Sequence, residues 1–168
     1  MLEKYDRYTP KDYVIIEPTK DNYSMPRRAT QMSVGYDLFA TKDEVIRPLD
    51  RKLIGTGIKL KMPEGMEGQI RSRSGLASKY GVFVLNSPGT IDPDYRGEVK
   101  VLLANLGHLP FDISEGDRIA QLVFSKYETP SLNANSISHY ERGEKGFGSS
   151  GINEDDMINA LEEMDTQI

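Results

Sequence analysis

Short apolar runs separated by turn residues recur along the chain up to residue 127. In residues 53–62, Ile58, Leu60 and Met62 alternate with a glycine and two lysines, which is typical of a half-buried strand. The chain has neither internal repeats nor a strand–helix–strand alternation. The pattern predicts an all-β, antiparallel sandwich or barrel. The predicted strands cover residues 14–16, 36–40, 44–47, 53–62, 68–71, 82–85, 98–106, 111–114 and 118–127.

Two segments depart from this strand pattern. In residues 74–80 a serine that could cap a helix precedes good helix formers, and a glycine follows, so we predict one short helix. Near the C-terminus, Met157, Leu161 and Met164 have the spacing of one apolar stripe on a helix. We predict that this acidic tail is at least partly helical.

The glycine-rich stretch 142–151 separates the strand-rich part of the chain from the acidic tail. It holds four glycines in ten residues, which cannot form a stable strand or helix interior. We therefore predict three parts: a β-barrel domain over residues 1–141, a mobile arm over residues 142–151 and an acidic tail over residues 152–168.

Composition and charge restrict the classes of function. The net charge of −5 is concentrated in residues 152–168, which carry six acids and no base, so the remainder is close to neutral and offers no basic field for nucleic acid. The absence of cysteine excludes disulfides, thiolate metal sites and cysteine nucleophiles. The chain has no apolar run long enough to span a membrane and no signal-like start, so we expect a cytoplasmic protein.

Residues 71–75, Arg-Ser-Arg-Ser-Gly, form the first candidate for chemistry. Backbone N–H groups at the start of a helix, together with the Ser74 hydroxyl and the Arg73 guanidinium, could bind an anion. Taken alone, the segment is better explained by an ordinary helix cap with solvated arginines.

Residues 86–98 form a denser candidate. Gly89 would let a ligand approach the backbone closely, and Asp92 could orient water as a general base. Tyr95 offers a flat face for a sugar or a base. An ordinary turn rich in Pro, Gly and Asp would also account for the segment.

The arm carries an aromatic ring between glycines. Phe147 has no neighbours that could hold it in a packed layer, and it suits stacking on a base. Arg142 and the hydroxyls of Ser149 and Ser150 suit phosphates, although the segment is not a Walker sequence. A Gly/Ser linker with a stray aromatic residue is the alternative.

Together, five segments in this order resemble the trimeric dUTP pyrophosphatase (dUTPase) family. The resemblance covers about residues 12–151 and implies a jelly-roll-like β-barrel that forms a homotrimer with active sites shared between subunits. It also implies hydrolysis of dUTP to dUMP and pyrophosphate with Mg²⁺, which limits uracil in DNA and supplies dUMP for dTMP synthesis. The matching segments are residues 34–38, 63–77, 89–98, 116–123 and 142–151.

The resemblance also implies roles for individual residues. Asp92 would activate the attacking water, Tyr95 would pack under deoxyribose, and Lys100 would line the pyrimidine pocket. Phe147 would stack over uracil. The full set of implied substrate-binding residues is Arg73, Ser74, Gly75, Asn86, Gly89, Thr90, Ile91, Tyr95, Lys100, Gln121, Arg142, Phe147, Gly148, Ser149 and Ser150.

No direct metal ligand is implied, because in this family triphosphate oxygens and water hold the Mg²⁺. Asp37 would support the phosphate shell or the hydrated metal. Ser72 stands where the family often has proline, and we expect it to loosen the turn that aims Arg73.

Two other functions stay open at this point. One is a dCTP deaminase of the same fold, which would need a further buried acid/base group at the pyrimidine C4. The other is a dUTP-dependent regulatory protein that binds a protein partner through the tail, residues 152–168; a solvated tail without a partner is the simpler interpretation.

Overall fold

The computed structural model describes residues 13–135 of the 168-residue chain. The chain divides into two compact units, Met1–Thr129 and Pro130–Ile168. Of the second unit, residues 130–135 are described; they are exposed and contain neither helix nor strand. The predicted arm 142–151 and tail 152–168 lie outside the described residues, and the domain limit at residue 141 stays a prediction.

Strands dominate the described part of the first unit, and one short helix interrupts them. The elements are β1 (Ile15–Pro18), β2 (Tyr36–Phe39), β3 (Glu44–Ile46), β4 (Arg51–Gly55), β5 (Ile58–Lys61), β6 (Met66–Arg71), α1 (Ser74–Tyr80), β7 (Val82–Val84), β8 (Gly89–Ile91), β9 (Lys100–Asn105), β10 (Phe111–Ile113) and β11 (Arg118–Lys126).

All strand pairs are antiparallel, and most join strands that are distant in sequence. Two larger sheets have the orders β2-β11-β6-β8 and β4-β9-β7, and two further pairs are β1-β5 and β3-β10. Within the described range these sheets do not close into a barrel. The predicted all-β, jelly-roll-like fold with one short helix is confirmed.

The core is built from the inward faces of these strands. Ile58 and Leu60 of β5 are buried, whereas Lys61 on the same strand is exposed, so the alternation seen in the sequence is confirmed. Leu122 of β11 and Val101 of β9 are fully buried and belong to the same apolar cluster. Burial of this cluster is the main stabilising term of the fold.

The prediction of one strand over residues 53–62 is wrong. Gly57 has a φ of +72° and divides the segment into β4 and β5, which lie in different sheets. A Cβ at Gly57 would also lie 2.8 Å from Cγ2 of Thr41. The strand period continues on both sides of the break, so alternation alone could not reveal it.

The short helix is confirmed, but its predicted cap is not. Arg73 occupies the N-cap position without a side-chain capping bond, and Ser74 is the first helical residue. At the other end Gly81 adopts a left-handed conformation with a φ of 68°, and its N–H donates to Ala77 O at 3.1 Å. Gly81 therefore ends the helix as predicted, whereas the N-cap position lies one residue before the predicted Ser74.

Candidate functional site

A pocket of about 470 Å³ opens between the two larger sheets. It brings together the predicted residues of the segment 86–98 and Lys100. Its lining is Leu53, Ile70, Asn86, Gly89, Thr90, Ile91, Asp92, Tyr95, Glu98, Lys100 and Leu102.

Strand β8 forms one wall of this pocket and was not predicted from the turn-rich sequence around it. Thr90 is exposed between buried Gly89 and Ile91, as expected for a strand with one inward face. A Cβ at Gly89 would lie 3.2 Å from Nδ2 of Asn86. Glycine at this position therefore lets the Asn86 amide lie close to the strand backbone.

Asp92 follows the last residue of β8 and begins a turn. Its carbonyl accepts a hydrogen bond from the Tyr95 N–H at 3.1 Å. The carboxylate is exposed, and within residues 13–135 it forms no ion pair. It is therefore available to water or to a ligand in the pocket.

Glu98 is a pocket residue that sequence reasoning missed, and it contacts three other residues. Its Oε1 accepts the Gly57 N–H at 3.0 Å, and its Oε2 lies 3.8 Å from Nζ of Lys100. The Tyr95 hydroxyl donates to the Glu98 carbonyl at 3.2 Å. A Cβ at Gly97 would lie 2.3 Å from that hydroxyl, so the tyrosine can take this position because residue 97 is glycine. The sequence did offer a signal for Glu98, because this carboxylate stands two residues before Lys100, a predicted pocket residue.

A second group of polar side chains surrounds Asp37 of β2. Asp37 Oδ1 lies 3.6 Å from Nε of Arg73, and Oδ2 lies 3.4 Å from Nη1 of Arg118. Arg73 also donates from Nη1 to the Arg118 carbonyl at 2.6 Å. One carboxylate that is mostly shielded from solvent thus holds two guanidinium groups in place.

Arg118 reaches this carboxylate through an irregularity in β11. Arg118 pairs with Phe39 and Ala120 pairs with Leu38, so Ile119 is the extra residue of a bulge. Strict alternation from Gln121 would direct the Arg118 side chain to the buried face. The bulge returns it to the face that carries Asp37.

Gln121 occupies the next position on the same face, opposite Asp37 on β2 and Arg71 on β6. Its Nε2 donates to the Ser72 carbonyl at 2.9 Å. A Cβ at Gly35 would lie 2.3 Å from Gln121 Oε1, so the small residue makes room for the amide.

Ser72 also accepts the Val84 N–H through its hydroxyl, at 2.9 Å. This bond joins the end of β6 to β7 in the other large sheet. These two contacts hold Ser72 in place, and the expectation that serine loosens the turn before Arg73 stays a prediction.

Ser74 and Gly75 are exposed at the start of α1, and a Cβ at Gly75 would meet no described atom within 4 Å outside its chain neighbours and the backbone of its own helix. Arg73 lines a separate pocket of about 290 Å³ together with Arg118. Neither the Asp37 group nor the α1 residues line the Asp92 pocket of the same chain. The predicted residues Arg142, Phe147, Gly148, Ser149 and Ser150 lie outside the described residues.

Two further findings concern metals and membranes. Among residues 13–135, no cluster of three or more histidine or acidic side chains is arranged to hold a metal ion. The one described helix is too short to cross a membrane.

A model of the dUTPase family matches residues 21–151 of this chain. The chain is 52% identical over 132 residues to the deoxyuridine 5'-triphosphate nucleotidohydrolase of Orientia tsutsugamushi (strain Ikeda), which covers 77% of this chain and 89% of that protein. Over 140 residues it is 44% identical to the nucleotidohydrolase of the same name from Clostridium novyi (strain NT), covering 83% of this chain and 99% of that protein.

Solved structures of phage proteins are similar as well. The dUTPase of Staphylococcus bacteriophage 80alpha with dUPNHPP is 31% identical, with a TM-score of 0.74 over 84% of this chain and 99% of that one. A mutant dUTPase from phage phi11 of S. aureus, described with a structural Mg(II) ion, is 26% identical, with a TM-score of 0.68 over 77% of this chain and 99% of that one.

Proposed function

The chain belongs to the dUTPase family, and from that premise we propose that it hydrolyses dUTP to dUMP and pyrophosphate with Mg²⁺. The observation that carries this proposal is the pocket in which β8, Asp92, Tyr95 and Lys100 meet. In a cell this reaction would limit uracil in DNA and supply dUMP for dTMP synthesis.

Asp92 is the proposed general base. Its carboxylate is exposed at the pocket wall and has no competing cation within the described residues, so it can orient a water molecule and accept its proton. Phosphoryl substitution depends mainly on such positioning and on neutralising charge.

The pyrimidine is proposed to bind along β8. This strand pairs with β6 on one side, and its other backbone edge has no strand partner in the described part of the chain. Free N–H and C=O groups on such an edge can form hydrogen bonds to a flat base as they would to an added strand. Asn86 at one end and Lys100 across the pocket would complete this subsite.

Tyr95 is proposed to pack against deoxyribose. Its hydroxyl is held by the Glu98 carbonyl at 3.2 Å, so the ring has a fixed position. A fixed ring supports discrimination against a bulkier ribose, since a 2′-hydroxyl would have to displace it.

The phosphate chain is proposed to bind the polar group around Asp37 together with the start of α1. Arg73 is aimed by Asp37, Gln121 is aimed by the Ser72 carbonyl, and Ser74 and Gly75 present an open helix start. Pre-oriented donors of this kind bind phosphate oxygens without reorganisation at the time of reaction.

The donor set fits a magnesium ion carried by the nucleotide. Both oxygens of Asp37 face guanidinium groups, which supports a role in orienting Arg73 rather than in binding the metal directly. The exposed Asp92 carboxylate could contact the hydration shell of the ion. The metal would neutralise charge on the triphosphate.

A homotrimer with shared sites is part of the proposal. Support comes from the separation of the Asp92 pocket from the Arg73 group within one chain, since a nucleotide triphosphate needs both. The arm residues Arg142, Phe147, Gly148, Ser149 and Ser150 would then close over the nucleotide from a further subunit.

Product analysis tests the proposed function. The purified full chain is incubated with Mg²⁺ and either dUTP or dCTP, and the products are separated by chromatography. We expect dUMP and pyrophosphate from dUTP and no product from dCTP. Uracil nucleotides formed from dCTP would indicate a deaminase, and nucleotide binding without any product would indicate a regulatory protein; either result would overturn the proposal.

A further inference from the structure

A row of polar residues runs across strands β11, β6 and β2 and extends beyond the β2 edge of their sheet. Arg27 forms an isolated antiparallel bridge with Asp37, Asp37 pairs with Gln121, and Gln121 pairs with Arg71. Residues directly opposite one another in antiparallel strands present their side chains to the same face. Arg27 therefore lies on the face that carries the Asp37 group.

The Arg27 side chain is held against this face by an aromatic ring. Its Cζ lies 5.1 Å from the centroid of Phe39, which is buried and lies two residues after Asp37 on the same face of β2. A stacked guanidinium keeps its edge N–H groups free to donate while the ring limits its rotamers.

Arg27 differs from the two arginines beside it in how its charge is compensated. Arg73 and Arg118 both lie within 4 Å of the Asp37 carboxylate. Within residues 13–135, Arg27 forms no ion pair, and its aromatic contact leaves the donors unused. A cation held in place without an anionic partner is a suitable group for an incoming phosphate.

The neighbouring arginine provides an internal comparison. Arg28 stacks over Tyr36 with its Cζ 5.7 Å from the ring centroid. Tyr36 precedes Asp37 and therefore points to the opposite face of β2. Both arginines are exposed and both contact a ring, but they serve opposite faces of the strand.

We propose that Arg27 is a further binding residue for the phosphate chain of the substrate, at the open edge of the Asp37 group. This inference rests on the proposed function, because it assigns a residue to the same nucleotide site. Its ligand chemistry is a linear polyphosphate.

The test compares Arg27→Gln with Arg28→Gln in the full chain. For Arg27→Gln we expect the KM for dUTP to rise about three- to tenfold with kcat within about twofold of wild type, and the effect to shrink at high salt. Arg28→Gln should keep both constants. Thermal unfolding of both variants checks that each is folded, and Arg27→Lys should recover part of the lost affinity because it restores the charge.

A second measurement does not depend on turnover. Inorganic tripolyphosphate is titrated into each protein by calorimetry, and Arg27→Gln should bind it about three- to tenfold more weakly than Arg28→Gln. Equal affinities in the two variants would overturn the assignment of Arg27. A wild-type chain that binds tripolyphosphate through Arg27 but does not hydrolyse dUTP would instead refute the proposed function alone.

Discussion

Ser72 and Gln121 are joined by a hydrogen bond of 2.9 Å from the Gln121 side-chain amide to the Ser72 carbonyl. Ser72 at the same time accepts the Val84 N–H, so one residue joins β6, β7 and β11. The position of Arg73, the next residue, therefore depends on contacts in both larger sheets.

Replacement of Ser72 tests this arrangement. Ser72→Ala leaves the N–H of the buried Val84 without its acceptor, so we expect the free energy of unfolding to fall by about 1–3 kcal/mol. Urea unfolding at a fixed protein concentration measures the change. Ser78→Ala, at an exposed position of α1, is the matched control and should stay within about 0.5 kcal/mol of wild type. An equal, small effect in both variants would show that the Ser72 hydroxyl contributes little.

Asp92→Asn separates binding from turnover. Loss of the proposed general base should lower kcat by at least about 100-fold, while a non-hydrolysable dUTP analogue still binds. Asp94→Asn is the control, because Asp94 is also exposed but does not line the pocket. Steady-state kinetics and calorimetry measure the two quantities. Near-normal turnover by Asp92→Asn would remove its assigned role.

Gly75→Ala should affect stability and activity in opposite directions. Outside its chain neighbours and the backbone of its own helix, the added Cβ meets no described atom within 4 Å. Alanine also favours helix, so stability should rise by about 0.5 kcal/mol. If Gly75 lies against phosphate, the methyl group should lower kcat/KM by about tenfold or more. Thermal unfolding and kinetics are measured on the same preparation, and unchanged kinetics would contradict phosphate contact at this residue.

Glu44 provides a prediction about pH. Hydrogen bonds from Lys42 and then from Lys52 hold the pKa of Glu44 below its usual value of 4.5. A lowered pKa in the folded state means that the stabilisation is present above pH 4.5 and is lost as the pH falls through the folded pKa. The stability difference between wild type and Glu44→Gln should therefore shrink on acidification, which unfolding experiments at several pH values can measure.

The proposed trimer predicts that an exposed apolar row is covered in solution. This row consists of three leucines: Leu53 pairs with Leu102, and Leu85 donates its N–H to the Leu102 carbonyl at 2.9 Å. Leu53 is 55% exposed and Leu85 is 44% exposed. Light scattering should give three times 18.9 kDa for the wild type and a lower mass for Leu53→Glu. Leu109→Glu, at another exposed leucine, should keep the wild-type mass. A monomer that hydrolyses dUTP would contradict shared sites.

Much of the fold could be predicted from local patterns, since alternation in β5 and the glycine after α1 each have a direct physical cause. The break at Gly57 could not, because the alternation continues across it while the chain passes from one sheet to another. Strand β8 was hidden by turn residues on both sides; its pairing with β6 is a tertiary contact.

In the candidate site, too, some residues could be placed from the sequence and others could not. Asp92, Tyr95 and Lys100 could be placed in one pocket because they belong to one segment or its immediate continuation. Arg118 could not be placed beside Asp37, since regular alternation would bury it and the bulge at Ile119 is not visible in the sequence. Arg27 depends on a single bridge to a distant strand, for which the sequence gives no local signal.

The edge of β8 that has no strand partner among residues 13–135 also bears on aggregation. An open strand edge can pair with a strand of another molecule, and such pairing leads to aggregates. Here Pro88 precedes the three-residue strand and Pro93 follows it closely, and proline has no N–H to donate to a ladder. The edge is therefore too short to accept a foreign strand, and the proposed pyrimidine subsite needs no longer edge than this.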